Sequence, residues 1–355
     1  MQPPRPTRRH AALAMLTLAL AAPLAPAMAA PRYQVVDLGA DVTPLDINAR
    51  GLIVGARVNA ANGRVGFRYT RRSGLQDLPD TTEATAVDDS GRIVGNGPLG
   101  AVLHDRTGVL PLGPDTRAGG LNGVGQMAGG VYGINPFRPS PLPLNPAVYD
   151  IAGDDWQVLD IARVYSRGTQ QGVYADIYAM VSVNDAGVAV GRRSRVGLYG
   201  SSAIVVEPAT GVVSYIPLAT GGQAVAINNH GFVVGTTLTY TASSDYAHAF
   251  LYDGSAVVDL GRLGQGLTTS AGDINDAGQV VGSAWLSPTL TSEVDPTLYH
   301  AFLWENNAMS DLNDSIPARL GWLLTSATAI NERGDIVGVG LLNGLPHGFW
   351  LRRRR

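Results

Sequence analysis

The side chains best placed for chemistry in this 355-residue chain belong to one short acidic motif. The segment Asp273-Ile274-Asn275-Asp276-Ala277-Gly278 clusters oxygen side chains as calcium loops do, because hard cations prefer several oxygen ligands. No bidentate glutamate closes the loop, since Gln279 and two valines follow the glycine. A hairpin turn that begins with Asn275 explains the same residues, so the sequence predicts no metal site.

Three histidines share a second motif, in which an aromatic residue follows two places later. The copies are His248-Ala249-Phe250, His300-Ala301-Phe302 and His347-Gly348-Phe349. A metal needs its ligands to converge on one point, whereas copies in different repeats are separated by a repeat spacing. We therefore expect these histidines to hydrogen-bond between neighbouring repeats and not to share a metal.

Both motifs belong to a unit that recurs along the chain. Seven short segments share a turn that starts with Asn or Asp and ends in glycine, followed by a Val-Gly-like pair. The turns span residues 48–51, 88–91, 122–125, 184–187, 228–231, 275–278 and 331–334. Each turn predicts a β-hairpin, and a second hairpin follows it in six units. The last unit stops near Leu351 and lacks its fourth strand.

The missing strand has a counterpart near the start of the chain. Residues 33–39 resemble residues 256–261, which form a fourth strand, and they precede the first hairpin. The sequence therefore predicts an all-β fold: a seven-bladed β-propeller of four-stranded antiparallel blades, closed by the N-terminal strand joining the last blade. A β-solenoid is the alternative, but it has no use for a displaced strand.

These repeats resemble the HAF-repeat family of probable extracellular proteins, named for the His-Ala-Phe seen at His248 and His300. The resemblance covers nearly all of the chain after residue 30, and it is strongest in the last three units. It implies an exported β-propeller-like repeat protein, and the family defines no biochemical activity.

The N-terminus has the pattern of a secretory signal peptide. Arg5, Arg8 and Arg9 precede the apolar stretch Ala11–Leu20, and Ala27-Met28-Ala29 fits a cleavage site. The predicted organisation is a signal peptide over 1–30, one propeller domain over 31–351 and a solvated basic tail over 352–355. We expect a secreted or periplasmic protein, a monomer, with no transmembrane segment after cleavage.

Composition excludes several classes of function. The chain has no cysteine, and all 26 basic residues are arginine, which excludes thiolate and Schiff-base chemistry. The formal net charge of −3 argues against binding to nucleic acid, and no segment indicates a cofactor.

Long connections are predicted on the face opposite the glycine turns, and they hold many aromatic residues. Exposed rings in loops on a rigid scaffold are typical of binding surfaces, although the same rings can simply pack the loops down. The candidate ligand-binding residues are Tyr132, Phe137, Tyr174, Tyr178, Tyr199, Tyr240, Tyr246, Trp285, Tyr299 and Trp322. No catalytic residue is assigned.

Three functions remain open at this point. The pattern favours an exported binding or interaction module whose ligand is a glycan, an envelope polymer or a protein. The alternatives are a hydrolase that acts on glycans and a purely structural envelope protein. A hydrolase would need two carboxylates at a fixed separation, and the loop acids available are Asp245, Glu293, Asp295 and Asp314.

Overall fold

The computed structural model describes residues 32–133, 144–162, 164–166, 173–195, 200–241, 244–289 and 295–354. They lie within one unit, Pro31–Arg355, which folds as an all-β propeller. No described helix is long and apolar enough to cross a membrane.

The first part of the chain forms one strand that pairs with the end of the chain, followed by two regular blades. Strand β1 (Tyr33–Ala40) precedes them and pairs elsewhere. The first blade is β2 (Val42–Ile47), β3 (Ile53–Val58), β4 (Arg64–Thr70) and β5 (Gly74–Asp77). The second is β6 (Glu83–Val87), β7 (Ile93–Gly97), β8 (Gly100–His104) and β9 (Val109–Pro111). Neighbouring strands within each blade are antiparallel.

The middle of the chain forms one larger sheet of nine strands. It contains β10 (Thr116–Leu121), β11 (Gln126–Tyr132), β12 (Leu144–Asp150), β13 (Asp155–Val158), β14 (Val164–Ser166), β15 (Val173–Val183), β16 (Ala189–Arg195), β17 (Ser201–Glu207) and β18 (Val212–Tyr215). A parallel bridge between Leu144 and Ile177 joins β12 to β15.

The prediction of a closed propeller of seven four-stranded blades is therefore wrong. The structure has five separate four-stranded blades, and residues 116–215 form the nine-stranded sheet instead. The physical reason is that β15 has 11 residues and pairs with more than its own hairpin partner: residues 173–175 pair with β14, and Ile177, which pairs with β16 on one edge, bridges Leu144 of β12 on the other.

Three regular blades complete the chain. They are β19 (Gly222–Ile227), β20 (Val233–Thr241), β21 (Ser244–Tyr252) and β22 (Val257–Asp259); then β23 (Thr268–Ile274), β24 (Val280–Trp285), β25 (Tyr299–Glu305) and β26 (Ala308–Asp311); and lastly β27 (Trp322–Ile330), β28 (Ile336–Leu342) and β29 (Leu345–Arg353) with β1. Strand β1 runs antiparallel to β29, from Tyr33 opposite Arg353 to Ala40 opposite His347. Because β29 continues through Arg353, two of the four terminal arginines lie within a strand.

Three short 3-10 turns occur in the last part of the chain: one lies between β24 and β25, and two connect the β23–β26 blade to the last blade. They span Pro296–Leu298, Leu312–Ser315 and Ala318–Leu320. The first begins at Asp295, whose carboxylate accepts the backbone N–H of Thr297.

The glycine turns hold the inner hairpins in a ring. In six of the seven turns the first residue is asparagine, and its Nδ2 donates to a backbone carbonyl of the next turn. The bonds run from Asn48 to Asp88 (2.8 Å), Asn122 to Asn184 (2.8 Å), Asn184 to Asn228 (3.3 Å), Asn228 to Asn275 (3.1 Å), Asn275 to Asn331 (3.1 Å) and Asn331 back to Asn48 (2.9 Å). The side chain of Asp88 has no N–H to donate to the next turn, and its carboxylate accepts a hydrogen bond from Arg92 Nε instead.

The glycine of each Val-Gly pair allows two strands of a hairpin to approach closely. An added Cβ would lie only 2.0 Å from the Ser270 carbonyl oxygen at Gly282 and 2.1 Å from that of Ser326 at Gly338. The opposing strand carries a β-bulge at this level, which turns its carbonyl toward the glycine. The phenyl rings of Phe302 and Phe349 cover the same glycines, and both rings are fully buried.

Candidate functional site

The face opposite the glycine turns, here called the loop face, carries the strand connections in which the aromatic residues were predicted to bind a ligand. Two of those residues are buried: Tyr178 is 5% exposed and Trp285 is 4% exposed. Trp285 packs edge-on against Tyr299, with ring centroids 4.8 Å apart, and its Nε1 donates to the Thr289 carbonyl at 3.2 Å. Trp285 and Tyr299 thus fasten the loop after β24 to the blade.

The other predicted aromatic residues are distributed unevenly. Trp322 is half-buried and lies edge-on to Phe349 and His347, with centroid distances of 6.2 and 6.1 Å. Tyr132 is half-buried at the end of β11. Phe137 and Tyr199 lie outside the described residues, and for Tyr174, Tyr240 and Tyr246 only the strand position is described.

One cavity on the loop face brings two of these residues together. It has a volume of about 350 Å³ and lies where β7, β10, β11 and β15 meet. Its lining includes Tyr132, Tyr178, Leu144, Asn96 and Arg117. We call it the Tyr132 pocket, and its volume falls in the range of about 300–1,000 Å³ that is usual for small-molecule sites.

Of the described residues that line the Tyr132 pocket, one is charged, Arg117. Arg117 is exposed, pairs with Gly130 across the hairpin, and therefore lies on the same side of the sheet as Tyr132, two residues further along β11. Within the described part of the chain no acid binds its guanidinium. Asn96, in contrast, uses both side-chain groups in hydrogen bonds with the backbone of Ala118: its Nδ2 donates to the carbonyl, and its Oδ1 accepts the N–H.

Next to the pocket, Asp176 of β15 and Arg193 of β16 form an ion pair in the nine-stranded sheet. Asp176 is 2% exposed and accepts a bond from Arg193 Nη2 at 2.9 Å. Burial raises the pKa of the neighbouring Tyr178 to about 12, with Tyr215 adding to the effect. Tyr178 is therefore a neutral wall of the pocket at physiological pH.

The acids considered for hydrolysis do not form a catalytic pair among the described residues. The carboxylate of Asp295 caps a 3-10 turn, and hydrogen bonds from Thr297 lower its pKa. Asp314 is exposed within another such turn. Glu293 lies outside the described residues, and for Asp245 only its place in β21 is described. The described residues also hold no group of three potential metal ligands.

The three repeated histidines do not connect neighbouring blades, so that expectation is wrong. Each Nδ1 faces an aspartate on the adjacent outer strand of its own blade. The pairs are His248 with Asp259 (3.1 Å), His300 with Asp311 (2.5 Å) and His347 with Asp37 (2.9 Å). In the last pair the aspartate comes from β1, so the histidine ties the two ends of the chain together.

A second cavity, of about 220 Å³, lies on the axis of the ring and is lined by all seven inner strands. Two carboxylates border it: Asp46 accepts the N–H groups of Ile47 and Val87, and Asp273 accepts those of Ile274 and Ile330. Burial raises the pKa of Asp273 to about 8 and that of Asp46 to about 6. Both side chains join neighbouring hairpins, which is a structural role.

Sequence reasoning missed two features of the loop face. Arg117 sits in an inner strand where no motif marks it. The aspartate partners of the histidines did carry a signal, because Asp37, Asp259 and Asp311 each precede a leucine in equivalent outer strands. That recurrence was visible in the sequence, but the pairing needs the strand register.

Comparison with known proteins identifies a fold and no activity. Residues 177–345 match the family model described as a protein of unknown function, DUF3466. No curated protein matches the chain. Similar solved structures include an oligogalacturonate lyase in complex with manganese (TM-score 0.57, 10% identity, 92% of this chain and 95% of that chain). An oligogalacturonate lyase from Vibrio parahaemolyticus is also similar (TM-score 0.51, 10% identity, 89% and 93%).

A third similar structure is the acylaminoacyl peptidase of Pyrococcus horikoshii (TM-score 0.55, 10% identity). The match covers 88% of this chain but 51% of that longer one. At such identities these likenesses show the fold alone: the chain is similar to β-propellers that occur both as enzymes and as parts of larger proteins.

Proposed function

We propose that this protein is an exported binding module that holds a segment of an acidic glycan in the Tyr132 pocket. The observation that carries the proposal is Arg117, a guanidinium without an acidic partner in the described structure, at the rim of a cavity of about 350 Å³ that also contains an aromatic ring. Export rests on the N-terminal sequence pattern.

The charge of the pocket argues for a ligand that bears carboxylates. Among the described residues, five other arginines form ion pairs with neighbouring acids: Arg32 with Glu305, Arg57 with Asp77, Arg64 with Glu83, Arg92 with Asp88 and Arg193 with Asp176. Arg117 is left with its donors available, and a guanidinium matches a carboxylate with two parallel hydrogen bonds. A uronic-acid residue supplies that carboxylate.

The rest of the lining suits a sugar ring. Tyr132 offers a half-buried aromatic face, while Leu144 and Met180 supply apolar surface. Aromatic rings provide large contact area at a small cost in conformational entropy. Among the described residues, the lining contains no carboxylate that could serve as a general acid or base, which favours binding over hydrolysis at this pocket.

Binding of a galacturonate tetramer, measured by isothermal titration calorimetry, tests the proposal. A charge-assisted hydrogen bond contributes about 1.5–3 kcal/mol, so Arg117→Gln should weaken binding about 10- to 100-fold. Tyr132→Ala should weaken it as well, and a neutral galactose tetramer should bind wild type more weakly than the acidic one does.

The matched control is Arg319→Gln, because Arg319 is exposed in a 3-10 turn and does not line the pocket. It should leave binding unchanged. Equal affinity of wild type and Arg117→Gln for the tetramer would refute the proposal, and so would no measurable binding by wild type.

A further inference from the structure

The β19–β22 blade contains a separate cavity of about 460 Å³ that the proposed glycan site does not use. Its lining includes Leu218, Thr220, Thr237, His248, Phe250 and Asp259. We call it the His248 pocket. The connection that leads from β18 into β19 forms one wall, and the histidine–aspartate pair forms the polar end.

Strand register relates this pocket to a filled position in the last blade. His248 pairs with Thr237, which pairs with Gly222. In the last blade, His347 pairs with Gly340, which pairs with Leu324. The residue two places before Gly222 is Thr220, and the residue two places before Leu324 is Trp322. By this count Thr220 takes the place of Trp322, with the difference that Thr220 lies in the connection before β19 whereas Trp322 is the first residue of β27.

In the last blade, the position that corresponds to Thr220 holds a tryptophan, Trp322. The indole ring of Trp322 packs edge-on to Phe349 and His347, at centroid distances of 6.2 and 6.1 Å. In the β23–β26 blade the same register places Leu267 at that position. Of the three blades with a histidine–aspartate pair, the β19–β22 blade alone has a small polar residue there, and Thr220 lines the cavity of that blade.

The polar end of the pocket presents a hydrogen-bond acceptor. Asp259 accepts the Gly261 N–H at Oδ1 (2.8 Å) and faces His248 Nδ1 at Oδ2 (3.1 Å). A carboxylate can only accept, so Nδ1 of the neutral imidazole carries the proton and Nε2 is an acceptor. No described residue donates to Nε2.

We propose that the His248 pocket binds an aromatic ring about the size of indole that carries an N–H or O–H donor. The ring takes the place beside His248 that Trp322 takes beside His347 in the last blade, and its donor reaches His248 Nε2. This site is independent of the glycan proposal, since the two pockets share no residue.

Calorimetric titration with indole tests the proposal directly. Wild type should bind indole at one site and should bind indene, which has a similar ring without a donor, at least several-fold more weakly. N-Acetyltryptophanamide is the second probe: if it binds as well, the pocket accepts a side chain of a partner protein, whereas binding of indole alone indicates a free small molecule.

Thr220→Trp should fill the pocket as Trp322 fills its counterpart, and indole affinity should fall at least tenfold. The matched control is Thr210→Trp, because Thr210 is exposed in the turn between β17 and β18, and it should bind indole like wild type. Trp322→Ala should open the equivalent position in the last blade and raise the stoichiometry from one to two.

A measurement on wild type alone keeps the proposal testable even if Thr220→Trp does not fold. Indole should shift the methyl resonances of Leu218 and Val257, which line the pocket. Unchanged methyl resonances at saturating indole would overturn the proposal, and so would a folded Thr220→Trp variant with wild-type indole affinity.

Discussion

Replacing Gly282 with alanine tests how the inner hairpins are built. The added Cβ would lie 2.0 Å from the Ser270 carbonyl oxygen and 2.8 Å from the Phe302 ring. Both neighbours are fixed, one as backbone in β23 and the other as a fully buried ring. Strands β23 and β24 must therefore move apart by roughly 1 Å or more before the new methyl group and the Ser270 oxygen reach an ordinary contact distance.

Forcing a methyl group into a packed core typically costs about 1–3 kcal/mol, and displaced backbone adds to that, so we expect a loss of about 3 kcal/mol in the free energy of unfolding. At the usual unfolding entropy per residue, a loss of that size lowers the Tm of a domain this long by about 4–5 °C. Thermal and urea unfolding, followed by circular dichroism, measure both quantities.

The matched control is Gly153→Ala. Gly153 is exposed, its φ is not positive, and its added Cβ would lie 3.5 Å from Asp150 Oδ2, an ordinary contact. This variant should be as stable as wild type or slightly more stable, because alanine restricts the unfolded chain. The reasoning fails if Gly282→Ala is as stable as Gly153→Ala.

Two further predictions concern the ring and the axial carboxylates. The pKa of Asp273 is raised from 3.8 to about 8, so the folded chain holds a proton there that the unfolded chain releases between those values. Stability should therefore fall as pH rises from about 4 to about 8, by at most about 1.4 kcal/mol per pH unit and less because the carboxyl borders a cavity. Asp273→Ser should weaken this dependence in urea titrations from pH 5 to 9, since Ser182 already accepts the Ile227 N–H at the equivalent position; an unchanged slope would contradict the assignment. Asn228→Asp should cost about 1–2 kcal/mol because the Asn275 carbonyl loses its donor, whereas the exposed Asn306→Asp should change stability little. Equal urea midpoints for these two variants would show that the ring contributes nothing.

The local elements were predictable because the signals for them are local. An asparagine or aspartate that begins each turn and a glycine that ends it specify the hairpin locally: Gly278 has φ of 74°, and its N–H donates to the Asn275 carbonyl at 3.0 Å. The sequence shows that a Val-Gly pair recurs, but it does not show why the glycine is needed. The structure gives the reason at Gly282, where a carbonyl of the neighbouring strand leaves no room for a side chain.

The assembly of the sheets was not predictable to the same degree. The bridge from Leu144 to Ile177 joins strands from different repeats, and neither residue belongs to a repeated motif. Ile177 also pairs with Ser194 in its own hairpin, so the bridge forms along the opposite edge of β15, which no sequence motif marks. That single contact replaces two expected blades with one sheet.

The candidate site was predicted only in its general location. Aromatic residues such as Trp285 and Tyr178 look alike in sequence whether they bind a ligand or pack a loop, and burial separates the two cases. Arg117 became a candidate only when the structure placed it in the lining of the pocket with no acidic partner among the described residues.

Methyl NMR of wild type titrated with the galacturonate tetramer tests the central claim most directly, because it locates a ligand without any substitution. Leu144, Met180 and Val181 line the Tyr132 pocket, whereas Leu218 and Val257 line the His248 pocket. We predict shifts at the first three residues that saturate with the calorimetric affinity, and none at the other two. Saturating shifts confined to the His248 pocket or to the glycine-turn face would contradict the account.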